Sequence, residues 1–476
     1  MIFSSFRAAW LALFLEMQRR PEQNIPPFMT HKYQERTHVL QRGLWIFLFL
    51  VYCPAYAAAQ AASAPAQAVP ATTTVIRAGK LIDVDAGKVL ANQVIVVRDG
   101  KIVAVGGAAA AIPAGAAMID LSNMTVLPGL IDCHTHLVGD PNDTDPLSEL
   151  RKTSAVRAFE SIPNAKVTLL AGFTTVRDVG TYRALVDVAL RDAIARGDVI
   201  GPRMFVAGAY ITITGGGGSL NGVAPDITLP WDLRFGVADG PDEVRQRVRA
   251  LEANDVDLIK VIATGAFLSH GSTPTTDDFT YEEIRAAVEE ANKKGLRVAA
   301  HAHAASGIKN AVRAGVASIE HGTMIDDEGL RMMKEHGTYL VADIYDDECI
   351  MAGGPNSAPA DFQAKEQQFA EVQRQNFKKA VLLGVNIAFG TDASVCPHGT
   401  NAKQFAYQVK YGQTPMQAIQ SATINAATLI GKPEEFGSIA PGKSADIIAV
   451  NGDPLADVRV LEHVAFVMKE GKVYKP

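Results

Sequence analysis

The feature that most constrains this chain is an alternation that begins at Pro128 and runs for about 300 residues. Short apolar runs of strand character alternate with longer amphipathic stretches. The runs fall at 126–137, 174–179, 203–209, 258–263, 297–303, 318–321, 338–344 and 386–391. Helical segments at 281–294 and 361–383 lie between them, and Thr280 followed by Glu283 is a capping-box signature for the first. Eight such strand–helix units imply an α/β chain folded as a (β/α)8 TIM barrel. On pattern alone, a doubly wound sheet is the competing architecture.

Both ends of this region change style. From Thr72 the pattern is all β, with Asp99-Gly100 between two alternating runs as a hairpin signal. After Gly437 the β style returns at Gly437-Ser438-Ile439, Asp446–Val450, Ala465–Met468 and Gly471–Tyr474. We therefore expect a small β-sandwich domain built from both chain ends, 72–127 and 437–476, bracketing a barrel at 128–436.

Upstream, Lys32, Arg36 and Arg42 precede an apolar run at 44–52, and Pro54-Ala55-Tyr56-Ala57 follows it. This is the layout of a secretory signal. Residues 1–57 are expected to be removed, with Met29 the more natural start and 1–28 an upstream extension; 58–71 reads as a linker. The expected location is periplasmic or secreted, with no stable membrane association after cleavage; an uncleaved anchor is the alternative. A net charge of −6 without a basic run argues against a nucleic-acid partner. Of the four cysteines, Cys53 lies in the signal; Cys133, Cys349 and Cys396 are expected to be free buried thiols.

The chemistry concentrates at the strand ends. His134 and His136 are two apart on a strand, so both imidazoles face one side and can chelate one divalent metal. His301 and His303 share parity at the end of a later strand, and spacing alone does not choose between them. His321 ends the next strand and Asp392 the last, where a carboxylate can bind metal or take a proton; its bland reading is a helix N-cap. Lys260 is the one charge in Leu258-Ile259-Lys260-Val261-Ile262. A buried ammonium tends to lose its proton, and the neutral amine can react with carbon dioxide to give a metal-bridging carbamate. A lysine snorkelling to solvent is the alternative.

Taken together, Leu127–His136, Leu258–Val261, Ala300–Ala304, Ile319–Thr323 and Gly390–Ala393, with the tail Gly437–Asp446, resemble the amidohydrolase superfamily. The resemblance covers 72–476 and is greatest to the Xaa-Pro dipeptidase (prolidase) and carboxypeptidase-like branch, related to imidazolonepropionases and ochratoxin-hydrolysing amidases. It implies two divalent metal ions, zinc by default. His134, His136 and Asp392 would hold the more buried ion, His301 and His321 the more exposed one, and N-carboxylated Lys260 would bridge them. It favours His301 over His303, leaving His303 to face substrate. The metals would activate water and polarise the amide carbonyl, and Asp392 would pass the proton to the leaving amine. The implied substrate is a dipeptide or N-acyl amino acid that loses its C-terminal residue, and the implied assembly a homo-oligomer. The alternatives are a cyclic-amide or lactone hydrolase, and a catalytically dead scaffold. Tyr210 and His270 are further candidates to contact the substrate. Arg177 and Asp178 read as a buried ion pair or substrate contacts. Asp346-Asp347-Glu348 reads as solvated surface, with recognition of a basic substrate end as the alternative.

Overall fold

The computed structural model describes residues 73–139, 145, 147–352 and 359–476. The expected signal peptide and linker lie outside the described residues. In chain order the strands are β1 (Thr73–Asp83), β2 (Lys88–Arg98), β3 (Lys101–Gly107), β4 (Ala117–Pro128), β5 (Leu130–Thr135), β6 (Phe173–Asp178), β7 (Arg203–Val206), β8 (Tyr210–Ile211), β9 (Leu258–Ile262), β10 (Arg297–Ala302), β11 (Ser318–His321), β12 (Tyr339–Val341), β13 (Ile447–Val450), β14 (Val464–Lys469) and β15 (Lys472–Lys475).

Strands from the two chain ends pair into one seven-stranded sheet, ordered β15-β14-β13-β4-β1-β2-β3. The join is β13 antiparallel to β4, with Ile447 opposite Pro128. Asp99 and Gly100 both take positive φ, 49° and 76°, and make the expected tight turn between β2 and β3. One face of this sheet buries Ile76, Ile95, Ile102, Ile447, Phe466 and Met468 together. The other presents Leu127, Ile448 and Val467 to Leu169, Phe173 and Phe389 beneath the site. Gly437–Ile439, expected as strand, is irregular.

At Gly129 the chain leaves this sheet. A Cβ there would lie 2.1 Å from Thr174 Oγ1, so only glycine lets β4 pass directly into β5. β5, β6 and β7 form one parallel sheet and β8 to β12 another, with helices such as Tyr281–Asn292 and Ala360–Leu383 between strands. The capping box at Thr280 and Glu283 forms as expected. The expected third strand is broken at Gly208 (φ 78°), so β7 pairs with β6 while β8 pairs with β9. The expected eighth strand is a set of single bridges. Ala388 donates to Leu340 O of β12 (3.1 Å), and Cys133 of β5 donates to Phe389 O (2.8 Å). Left-handed backbone at Asp392 (φ 50°) and Ser394 (φ 131°) stops regular pairing there.

The free-thiol expectation is corrected for two cysteines. Cys349 and Cys396 form a disulfide, with Cα atoms 5.4 Å apart, that ties the loop after β12 to the loop after Asp392. The two loops fold against each other over the site, a proximity that sequence spacing does not encode. Cys133 is free and buried. Among the described residues no helix is long and apolar enough to cross a membrane.

Candidate active site

The C-terminal ends of the parallel strands surround a cavity of about 390 Å³, lined by His134, His136, Lys260, His301, His303, His321 and Asp392 among others. Every residue expected to ligate a metal therefore lines this one cavity. Asp392 Oδ1 lies 3.2 Å from His136 Nε2 and 3.5 Å from His134 Nε2. The His301 ring is 4.5 Å from that of His321 and 4.4 Å from that of His303. Ligand atoms of His301, His303 and His321 converge within 4.8 Å, as do those of His134, His321 and Asp392. Geometry therefore leaves His301 and His303 both within reach of a metal.

The rings are aimed by partners behind them. His134 Nδ1 faces Glu320 Oε2 at 3.1 Å, His136 Nδ1 faces the Gly180 carbonyl at 2.7 Å, and His321 Nδ1 faces Asp343 Oδ2 at 2.6 Å. In each case the other nitrogen is left for the cavity. His136 Nδ1 can donate backward to the Gly180 carbonyl, while His134 Nδ1 makes no hydrogen bond; in the tautomers that carry the proton on Nδ1, both Nε2 lone pairs point at the Asp392 carboxylate. Lone pairs converging this closely repel unless a cation sits among them. Lys260 adds a second sign. Its Nζ is buried (2% exposed), has no hydrogen-bond partner, and burial pushes it down to about 8. An orphaned amine beside imidazoles and a carboxylate is the donor set that a carbamate-bridged pair of divalent metals uses, so the residues fit the implied group. Burial, and then neighbouring positive groups, hold His134, His301 and His303 well below the usual imidazole range. Burial would raise the Asp392 carboxyl, but His134, His136 and His321 outweigh it and keep it ionised.

The remaining expected residues divide. Tyr210 lines the cavity, its hydroxyl 3.2 Å from His136 Nδ1. His303 donates to or accepts from Thr323 Oγ1 at 2.8 Å, with Phe267 edge-on to its ring. His270 sits at the rim, half exposed, 3.7 Å from Asp361. The expected Arg177–Asp178 pair does not exist, because adjacent strand residues point to opposite faces. Arg177 instead grips both oxygens of Glu320 at 2.8 and 2.9 Å, beneath His134. Asp178 accepts from Leu137 N at 2.6 Å.

Asp346 and Asp347 correct the reading of 346–348 as solvated surface. They are 6% and 1% exposed and form the cavity wall with Glu366; Glu348 alone is exposed, held by Arg374 at 2.9 Å. The helix Ala360–Leu383 covers this loop, bringing Glu366 and Arg374 to it. Burial, and then a hydrogen bond to Asp347, push the Glu366 carboxyl far above its usual 4.5. A folded carboxyl that keeps its proton while the unfolded one ionises costs stability progressively as pH rises above about 4.5. Glu366→Gln mimics the protonated form. Its thermal midpoint is expected to exceed that of the parent chain by roughly 2–4 °C at pH 8, the gap closing toward pH 4.5. Equal midpoints across that range, by scanning calorimetry, would show that Glu366 ionises normally.

Asp132, Glu320, Asp343, Thr391 and Asn401 support the site without standing out in the sequence. Of these only Asp132 carries a signal, as the carboxylate two residues before His134.

The chain is similar to several known proteins. The model of the amidohydrolase family matches residues 125–474. Ochratoxinase from Aspergillus niger is 34% identical over 429 residues, covering 85% of this chain and 87% of the relative. Imidazolonepropionase from Caldanaerobacter subterraneus subsp. tengcongensis is 25% identical over 395 residues, covering 76% and 85%. The crystal structure of a Xaa-Pro dipeptidase with methionine bound in its active site is 40% identical, with a TM-score of 0.81, covering 85% of this chain and all of that one. The chain belongs to the amidohydrolase family and is a hydrolase that acts on amide bonds.

Proposed function

We propose that this chain is an exported binuclear zinc enzyme that cleaves the amide bond of a dipeptide or N-acyl amino acid and releases the C-terminal residue. The observation that carries this reading is the convergence of His134, His136, Lys260, His301, His321 and Asp392 on one cavity, with Lys260 Nζ buried and unpartnered. In this reading β5 to β12, with β7 and β8 as the two halves of one strand, and residues 386–393 close as an eight-stranded barrel, supported by the bridges from Leu340 and Cys133 to the last segment. The two-ended sheet folds over its own core as a sandwich. The disulfide supports an oxidising compartment.

His134, His136 and Asp392 would hold one metal and His301 and His321 the other. Lys260, after adding carbon dioxide and losing a proton, would bridge them as its carbamate. The metals would supply an activated water at neutral pH and polarise the amide carbonyl. The chain's own residues do the rest. Asp392 takes a proton from the attacking water and hands it to the departing amine. His303 and Tyr210 hold the substrate's polar ends, and the wall from Phe267 to Ile350 shields the bond from bulk water. The ochratoxinase and Xaa-Pro dipeptidase relatives support a linear amide over a cyclic one.

The test is release of free amino acids, read by mass spectrometry, from Xaa-Pro, Xaa-Arg, Xaa-Phe and N-acyl amino acids, with and without added zinc. Zinc-dependent release of a C-terminal residue is expected. A protein that holds its metal yet cleaves no linear amide would move the assignment to a cyclic amide or lactone.

A further inference from the structure

Asp132 ends its side chain in the protein, not in the cavity. It is fully buried on β5, two residues before His134. Its carboxylate accepts four hydrogen bonds. Oδ1 takes the backbone N–H of His134 (3.1 Å) and of Thr391 (3.2 Å). Oδ2 takes the Thr391 hydroxyl (2.6 Å) and the Asn401 amide (2.8 Å). Two of these donors belong to the residue immediately before Asp392, and one lies beyond the loop that follows it. Asp392 itself sits in left-handed backbone at φ 50°, a conformation uncommon for residues other than glycine.

We propose that Asp132 is the positioning residue that sets Asp392 against His134 and His136. This rests on the assignment of Asp392 as a metal ligand and proton carrier. The first strand and the last segment otherwise meet here through backbone bridges such as Cys133 to Phe389. Asp132 adds a rigid side-chain clamp across the same seam, and so fixes the spacing between the two histidines and the carboxylate that share one ion.

The geometry offers a specific rescue. In Asp132→Asn the new amide nitrogen would face the Asn401 amide nitrogen, donor against donor. Asn401 can turn its oxygen inward only by withdrawing it from Gly399 N, which it now accepts at 3.0 Å. In Asp132→Asn combined with Asn401→Asp the polarity is exchanged. The amide introduced on β5 would donate to the carboxylate introduced on the loop, and the Gly399 contact survives. Backbone donors to Oδ1 are kept in both.

The experiment titrates zinc into metal-stripped protein against a chelating dye, and measures kcat and KM at saturating zinc. The variants are Asp132→Asn, the exchanged pair and Asp392→Asn, each checked for folding by circular dichroism. Asp132→Asn is expected to lose about 10- to 100-fold in zinc affinity and a similar factor in kcat, with KM little changed. The exchanged pair is expected to recover most of both. A folded Asp132→Asn with unaltered zinc affinity and kcat overturns the proposal, as does a loss that the exchange does not restore. Should Asp392→Asn itself bind zinc and turn over like the parent chain, the underlying assignment of Asp392 fails instead.

Discussion

Asp392→Asn is expected to lower kcat by about a thousandfold or more, the range of a general acid–base group. The substitution keeps the shape and removes the charge. Three histidines hold the carboxylate ionised in the parent chain, so at neutral pH it is a proton acceptor throughout. An amide accepts no proton from water and delivers none to an amine. In the proposed reading it would also weaken the hold on the ion shared with His134 and His136, because Oδ1 lies 3.2 and 3.5 Å from their Nε2 atoms. Zinc content should therefore fall together with turnover. Retention of a tenth of the parent kcat by a folded, zinc-loaded variant would show that another group carries the proton.

Lys260→Ala is expected to cost a comparable factor by a different route. The parent amine has lost its water and gained no partner, and burial lowers it to about 8, which leaves a usable neutral fraction for addition to carbon dioxide. In the proposed binuclear reading, the two ions would have no common ligand without it. In that reading metal content should drop from about two ions per chain to about one, with kcat down about three decades, since a metal acting as Lewis acid is worth several kcal/mol of charge stabilisation. A small carboxylate such as acetate, diffusing into the space left by the side chain, should restore part of the activity in Lys260→Ala. Lys260→Arg should be as inactive, because a guanidinium stays charged and does not form a carbamate. Two bound metals in Lys260→Ala without added carboxylate would remove the bridge from the account.

The strand ends are legible because two independent signals coincide there: an apolar run fixes which face is buried, and a polar residue at its end breaks the run. His134, His321 and Asp392 carry both signals; Lys260 is marked instead as the single charge inside an apolar run. What escapes the sequence depends on proximity between distant segments. Glu320 reads as one more residue before His321, and only the strand order reveals it as the partner of His134 and Arg177. Asp346 and Asp347 look like a solvated charge run until the helix Ala360–Leu383 is laid over them. The Cys349–Cys396 link joins two loops whose sequence spacing says nothing of their meeting. The third strand reads as continuous because Gly208 in a strand pattern does not announce which neighbours each half will choose.

The sheet shared by both chain ends carries a consequence for synthesis. β1 to β4 leave the ribosome first, yet the strand that covers the free edge of β4 is β13, made roughly 300 residues later. At about 5–20 residues per second that interval is tens of seconds. Throughout it, the nascent chain presents an unpaired edge beside a buried apolar face, an open template for pairing with other strands.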